Sequence, residues 1–188
     1  IDAAKANCSV PPATLGGLES GESETIYLST IDKDGNIVSL IQSNYSAFGS
    51  GIVAPGTGFV LHNRGGLFTL EKGRPNTIAP RKRPLHTIIP AFMTKGDVKI
   101  GFGIMGGWNQ SQAHAQFVSN VADFGMNIQE ALEASRFSKR NFDGCDVDIE
   151  DGVSAPVIQA LRAMGHDVRL SNGRFTDTYG YGQAVMSN

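Results

Sequence analysis

The fold is organised around one stretch, Glu24-Thr25-Ile26-Tyr27-Leu28-Ser29-Thr30-Ile31-Asp32, which continues through Lys33-Asp34-Gly35 into Asn36-Ile37-Val38-Ser39-Leu40-Ile41. Apolar and polar residues alternate on both sides of the Asp-Gly pair, and many are Ile, Val, Thr or Tyr, which favour strands. The Asp-Gly pair supplies the positive φ angles that a tight connection requires. The stretch therefore predicts a β-hairpin with Thr25 near the start of its first strand. On this pattern alone, Thr25 is an ordinary strand residue.

Length, composition and charge limit the class of protein. The chain has 188 residues, of which 40% are hydrophobic, so it can bury one sizeable core and one domain is expected. The net charge is −2 and the densest basic run, Arg81-Lys82-Arg83, is short, which argues against a nucleic-acid partner. No apolar run is long enough to span a membrane. Cys8 and Cys145 lie far apart without metal-ligand spacing, so we expect neither a disulfide nor a metal site, and no cofactor is indicated.

The rest of the chain predicts strands, then helices, then strands again. Residues 1–23 are rich in small residues, Pro and Gly and predict a linker. The later elements are a second hairpin at Ile88–Met93 and Val98–Ile104, helices at Gln110–Phe124, Ile128–Arg136 and Ala155–Met164, and strands at Val147–Glu150, His166–Leu170 and Gly182–Met186. This order is typical of an α+β layered domain rather than of alternating βαβ units.

A glycine-rich segment has two competing interpretations. Gly101-Phe102-Gly103-Ile104-Met105-Gly106 matches G-x-G-x-x-G, follows a predicted strand and opens a helix, as in dinucleotide-binding loops. That fingerprint needs a second strand after the helix, but here the helix runs directly into Asp123-Phe124-Gly125, which disfavours nucleotide binding. Alternatively, Gly106 and Gly107 expose backbone N–H groups at a helix N-terminus as an oxyanion hole. Close packing of backbone beneath a helix is compatible with that second interpretation.

The hairpin carries a family resemblance. The run from Thr25 through Asp32-Lys33-Asp34-Gly35-Asn36 to Phe48-Gly49-Ser50-Gly51-Ile52-Val53 resembles the opening of the small subunit of γ-glutamyltranspeptidases, which are N-terminal-nucleophile hydrolases made as one precursor. In that family the chain is cut before a Thr that becomes both N-terminus and nucleophile, and Thr25 lies at that position. The resemblance implies a four-layer αββα sandwich. It also implies that residues 25–188 form the catalytic domain, that residues 1–24 end an upstream region, and that a large subunit from the same precursor is the partner.

The resemblance also implies the catalytic groups. Thr25 would attack the Glu24 carbonyl, the amide would shift to an ester, and hydrolysis would leave Thr25 with a free α-amine. An α-amine with a pKa near 8 can act as the base for the neighbouring hydroxyl, so no Ser-His-Asp triad is needed. Gly106 and Gly107 match the Gly-Gly pair of the family's oxyanion hole.

Around the nucleophile, the chain departs from the family pattern at several positions. Ser43 keeps a hydroxyl that the family places near the nucleophile, whereas Tyr45 stands where the family has Asn. His86-Thr87 aligns with the Ser-Ser pair that holds the substrate α-carboxylate, and only Thr87 keeps a hydroxyl. The surrounding Lys82-Arg83-Pro84 framework is retained.

One departure bears on the substrate. Leu67 aligns with the acidic residue that pairs with the substrate α-amine, and an ammonium left unpaired in a pocket costs roughly several kcal/mol. We therefore expect an acyl group without that amine, such as the glutaryl-like side chains cleaved by cephalosporin acylases of this family. Arg64 or His86 would meet its carboxylate.

These features predict a γ-glutamyltransferase-like amidohydrolase or acyltransferase, which cleaves a small-molecule amide through a Thr acyl-enzyme after autoproteolysis at Glu24-Thr25. The alternative is a processing-defective, non-catalytic binding member of the family, because residues 1–24 still precede Thr25. His62, His114 and His166 have no evident partner in the sequence and are expected to be structural.

Overall fold

The predicted hairpin is present, and within the described residues it is followed by the eight further helices and strands that the sequence predicted, together with the short strand β5 (Phe137–Ser138). A computed structural model describes residues 24–139, 144–173 and 179–188. In chain order the main elements are β1 (Glu24–Ile31), β2 (Ile37–Tyr45), β3 (Ala91–Lys95), β4 (Val98–Ile104), α1 (Gln110–Ala122), α2 (Ile128–Glu133), β5 (Phe137–Ser138), β6 (Asp146–Ile149), α3 (Ala155–Ala163), β7 (Asp167–Leu170) and β8 (Gly182–Ser187). Short 3-10 helices lie at Arg64–Leu67 and Gly107–Asn109. The predicted linker at residues 1–23 lies outside the described residues.

The β1–β2 hairpin is built as its sequence pattern indicates. The strands pair antiparallel, with Leu28 opposite Leu40 and Thr30 opposite Val38. The turn is closed by the Asp32 carboxylate, which accepts hydrogen bonds from the backbone N–H groups of Asp34 and Asn36 at 2.9 Å each. Because side chains alternate along a strand, Thr25 and Tyr27 are buried on one face, while Ile26 and Leu28 are exposed on the other.

The hairpin packs against a three-stranded sheet with strand order β3-β4-β8, and helices cover that sheet's other face. Alternation along β4 explains this layering. Ile100, Phe102 and Ile104 point toward the helices and form the main core with Ala113, Phe117 and Ala131. The intervening glycines face the hairpin, and a Cβ on Gly103 would lie 2.3 Å from the Tyr27 ring. The G-x-G pattern therefore lets two sheets approach closely, so the close packing that the sequence suggested lies beneath the hairpin rather than beneath a helix.

Two helix boundaries follow from local signals in the sequence. Asn127 caps α2 by accepting hydrogen bonds from the N–H groups of Gln129 and Glu130, and the Glu130 carboxylate accepts from the Asn127 N–H in return. This capping box satisfies N–H groups that have no partner within the helix. Helix α1 ends at Ala122, two residues before the predicted end at Phe124.

The C-terminal part departs from one expectation. Strand β6 pairs parallel with β7 across helix α3, which is a βαβ unit, and β5 adds antiparallel to β6. This unit has a small core of its own, formed by Ile149, Ile158 and Val168. The sequence predicted an α+β domain rather than alternating βαβ units, and one such unit is present because α3 is amphipathic and buries its apolar face over β6 and β7.

A second correction concerns the cysteines. Cys145 is disulfide-bonded, so the expectation that the cysteines form no disulfide is wrong for this residue. Cys8, by contrast, lies outside the described residues. None of the helices in the described ranges combines the length and the apolarity needed to cross a bilayer.

Candidate active site

Thr25 is the second residue of β1, and it lies opposite an irregularity in β2. The register between the strands shifts between the pairs Glu24–Tyr45 and Ile26–Gln42, so β2 has one extra residue opposite Thr25. A bulge of this kind redirects side chains, and here it places Ser43 beside Thr25. Thr25 is 5% exposed.

Hydrogen bonds link the hydroxyl groups of Thr25 and Ser43 to the peptide carbonyl that precedes Thr25. Thr25 Oγ1 donates a hydrogen bond to Ser43 Oγ at 3.1 Å. Ser43 Oγ in turn donates to the carbonyl oxygen of Glu24 at 2.6 Å and accepts from the backbone N–H of Tyr45 at 2.9 Å. The Thr25 hydroxyl, a second hydroxyl and the carbonyl preceding Thr25 therefore share one hydrogen-bonded cluster.

Arg64 completes this cluster from the first 3-10 helix. Its guanidinium donates to Ser43 Oγ at 2.9 Å and to Thr87 Oγ1 at 3.0 Å, and it lies over the Tyr45 ring at 5.0 Å from the centroid. Arg64 is 1% exposed, and none of the ion pairs within the described ranges includes it. Burial lowers the pKa of the guanidinium, although an arginine remains charged at any physiological pH.

The backbone at Tyr45 is unusual. Its φ angle is 77°, which lies in the left-handed region that residues other than glycine rarely adopt. Asn tolerates this region better than Tyr does, so the departure from the family residue carries a conformational cost. Burial of the ring and its contact with Arg64 oppose that cost.

Gly106 and Gly107 follow the end of β4. Along that strand Gly101 packs on Ile37 near the hairpin turn and Gly103 packs on Tyr27, so the chain leaves β4 toward the end of the hairpin where Thr25 lies. Gly106 and Gly107 have φ angles of 133° and 55°. Neither of their amides donates a backbone hydrogen bond to another described residue.

A buried ion pair supports this glycine pair from behind. Arg136 contacts the Glu150 carboxylate at 2.8 Å, and its guanidinium also donates to the carbonyl oxygens of Tyr179 and Gly180. Gly180 packs directly on Met105 and Gly106, where a Cβ at position 180 would lie 1.6 Å from the Met105 oxygen. The glycine pair is thereby packed against a segment anchored by Arg136. Sequence reasoning missed this support, because nothing local pairs residues 136 and 150 before β5 and β6 meet.

The remaining candidate residues fall inside or outside the cluster as follows. Ser43, Tyr45, Arg64 and Thr87 lie together around Thr25, whereas His86 is exposed and its Nδ1 contacts the Pro84 carbonyl at 2.7 Å. The proposal that His86 meets a substrate carboxylate therefore has no support from its position.

Leu67 and two of the histidines have specific positions. Leu67 is buried, and its carbonyl accepts a hydrogen bond from Asn76. His62 Nδ1 accepts from the Arg64 N–H at 3.2 Å and so positions the first 3-10 helix. His114 Nε2 accepts from the Ile104 N–H at 2.8 Å, and burial lowers the pKa of His114 to about 4, so it is neutral at physiological pH.

Comparison with known proteins identifies relatives over most of the chain. A glutathione hydrolase-like YwrD proenzyme of Bacillus subtilis is 39% identical over 79% of this chain and 29% of the relative. An oxamate amidohydrolase proenzyme of Klebsiella pneumoniae is 34% identical over 93% of this chain and 34% of the relative. Among solved structures, a cephalosporin acylase from Bacillus halodurans superposes with a TM-score of 0.78 and 44% identity, over 86% of this chain and 30% of that chain.

These relatives are much longer than this chain, which spans about a third of their length. Two of them are named proenzymes. The family model described as gamma-glutamyltranspeptidase matches residues 2–188. The chain therefore belongs to the γ-glutamyltranspeptidase family of N-terminal-nucleophile hydrolases.

Proposed function

We propose that this chain is the catalytic part of an amidohydrolase or acyltransferase that cleaves an amide through a Thr25 acyl-enzyme after autoproteolysis at Glu24-Thr25. The observation that carries the proposal is the cluster in which Thr25 Oγ1, Ser43 Oγ and the Glu24 carbonyl oxygen are linked by hydrogen bonds of 3.1 Å and 2.6 Å. These bonds hold the Thr25 hydroxyl and the Glu24 carbonyl in one arrangement through Ser43, which reduces the ordering that an attack on this carbonyl would require.

Processing would proceed as an N-to-O acyl shift. The Thr25 oxygen forms a bond to the Glu24 carbonyl carbon, the bond from that carbon to the Thr25 nitrogen breaks, and the hydroxyl proton ends on that nitrogen. Water then hydrolyses the ester, leaving a carboxylate on Glu24 and both a hydroxyl and a free α-amine on Thr25.

In the mature enzyme the same hydroxyl would attack the substrate amide. The Thr25 α-amine acts as the base and passes the proton on to the leaving amine, because α-amino groups in general have a pKa of about 8. The amides of Gly106 and Gly107, which donate no backbone hydrogen bond to another described residue, stabilise the oxyanion. Water or an acceptor amine then releases the acyl group.

The favoured substrate has a carboxylate on its acyl group and no α-amine. Leu67 is 6% exposed and offers no counter-charge to an ammonium, whereas Arg64 is a buried cation without a carboxylate partner in the described ranges. A buried cation is stable only when paired or well hydrogen-bonded, and a substrate carboxylate would supply the missing charge. The relatives named oxamate amidohydrolase and cephalosporin acylase support cleavage of an amide bond.

The upstream part of the precursor would complete the fold. Four apolar side chains are exposed on the hairpin face that points away from the β3-β4-β8 sheet, namely Ile26, Leu28, Val38 and Leu40. A large subunit from the same precursor would cover this face and supply the fourth layer of an αββα sandwich.

Processing is tested by N-terminal sequencing and denaturing electrophoresis of the full precursor. We expect two fragments, the smaller beginning at Thr25, and an intact chain without activity for Thr25→Ala. Thr25→Ser is the matched control, because it keeps a hydroxyl at the same position and is expected to be cleaved. Two fragments from Thr25→Ala would refute the assignment, and an uncleaved wild type would favour the non-catalytic binding alternative.

A further inference from the structure

Ser43 Oγ is surrounded by hydrogen-bond donors. It accepts from Thr25 Oγ1, from the Tyr45 N–H and from Arg64 Nη2, and it lies 2.6 Å from the Glu24 carbonyl oxygen. A backbone N–H and a guanidinium N–H can only donate, so the single proton of Ser43 cannot point toward either of them. With Thr25 Oγ1 also donating, that proton points at the Glu24 oxygen, where negative charge develops when Thr25 attacks.

Arg64 is the one charged group that contacts Ser43 among the hydrogen bonds of the described residues. Its Nη2 lies 2.9 Å from Ser43 Oγ, and the second hydrogen bond to Thr87 at 3.0 Å holds the guanidinium in place. A hydrogen bond from a cation to a hydroxyl polarises that hydroxyl and strengthens the bond that it donates in turn. The effect is larger in a buried site than in water, and Arg64 is 1% exposed.

We propose that Arg64 is a positioning residue for cleavage of the Glu24-Thr25 bond and that it acts through Ser43. Arg64 directs the Ser43 proton toward the Glu24 carbonyl oxygen and strengthens that hydrogen bond as the oxygen becomes negative. The inference rests on the proposed processing at this bond. Arg64 exchanges no proton and remains a cation throughout. It also excludes Ser43 as the base in this step, because a protonated hydroxyl beside a guanidinium would bring two positive charges together.

A double-mutant cycle on precursor cleavage separates this role from general support of the fold. Purified precursor is followed by denaturing electrophoresis over time for wild type, Arg64→Met, Ser43→Ala and the double variant. Loss of one oxyanion donor typically costs about 10²–10³ in rate, so we expect Ser43→Ala to slow cleavage by that factor and Arg64→Met by about tenfold to a hundredfold. In the Ser43→Ala background, Arg64→Met has little further effect on the cleavage rate, because the Ser43 hydroxyl through which Arg64 acts is absent.

Two more variants complete the test. Arg64→Lys keeps the charge and is expected to recover part of the rate, whereas Arg169→Met removes an exposed arginine and leaves the rate unchanged. An Arg64→Met precursor that is cleaved at the wild-type rate would overturn the inference, as would an equal slowing in both Ser43 backgrounds. Either result leaves the proposed processing intact if wild type still yields a fragment beginning at Thr25. No substrate is present in this assay, so any contact of Arg64 with a substrate carboxylate does not affect it.

Discussion

The ion pair between Arg136 and Glu150 allows stability and catalysis to be separated. Glu150 is 1% exposed and accepts from Arg136 Nε at 2.9 Å and from Arg136 Nη2 at 2.8 Å. Arg136→Met removes both of these side-chain bonds and the positive charge, while the backbone N–H of residue 136 still donates to Glu150 Oε2 at 3.1 Å. Loss of the charge partner of a buried carboxylate typically costs about 3–5 kcal/mol. For a domain of this size each kcal/mol lowers Tm by about 2–4 °C, so the expected fall is roughly 6–20 °C.

A second variant removes the buried charge as well. Arg136→Met combined with Glu150→Leu replaces the pair by apolar side chains, a change that is often neutral for stability. The double variant still lacks the hydrogen bonds to the carbonyl oxygens of Tyr179 and Gly180, which pack behind Gly106. We therefore expect stability to recover while kcat stays about tenfold to a hundredfold low, because displaced oxyanion donors act on the transition state.

The assay combines urea unfolding, followed by circular dichroism, with release of p-nitroaniline from glutaryl p-nitroanilide. Arg169→Met is the matched control, since its pair with Asp167 is exposed and such pairs contribute about 0–1 kcal/mol. A loss below 1 kcal/mol in Arg136→Met would refute the stability argument. Full turnover in the double variant would show that Arg136 does not support the oxyanion hole.

Three further predictions address the oxyanion, the substrate and pH. A folded Gly107→Val variant should lose about 10²–10³ in kcat, because the side chain tilts or blocks an oxyanion donor; unchanged turnover would move that role to other groups. Wild type should cleave a glutaryl anilide faster than the γ-glutamyl anilide. Leu67→Asp should shift the ratio of the two kcat/KM values toward the γ-glutamyl anilide by about tenfold to a hundredfold. A wild-type preference for the γ-glutamyl anilide would contradict the pocket assignment. The pKa of His114 is lowered to about 4 in the folded chain, so the unfolded chain binds more protons between pH 6.5 and 4 and stability falls as pH falls through that window. Between pH 7 and pH 4, the free energy of unfolding measured in urea should fall by about 3 kcal/mol more in wild type than in His114→Gln, whose side chain accepts the same hydrogen bond without titrating. Equal falls in the two proteins would contradict this prediction.

Local interactions explain why much of the fold was predictable from the sequence. The Asp-Gly turn and the alternation around it determine the β1–β2 hairpin, and the cap at Asn127 determines where α2 begins. Each of these features depends on residues within a few positions of one another. The same holds for the glycine pair after β4, whose place between a strand and a helix follows from the local pattern.

The candidate site was predictable only in part. The resemblance indicated Thr25, Ser43 and the glycine pair, but it left Arg64 and His86 as equal candidates for an anion. Only the folded chain separates them, because Arg64 reaches Ser43 and Thr87 from a different segment, whereas His86 is exposed.

What the tertiary structure alone decided depends on contacts between distant segments. The extra residue of β2 beside Thr25 arises from pairing between strands. Position 103 requires a glycine because the Tyr27 ring occupies the space of a Cβ, and this contact exists only in the folded chain. Likewise, Arg136 and Glu150 meet because β5 pairs with β6. The sequence by itself determined the order and type of the elements other than β5, since these depend on short-range periodicity, turns and caps. Which polar groups share a buried site was decided by packing, because burial removes water and forces each group to find its partner elsewhere in the chain.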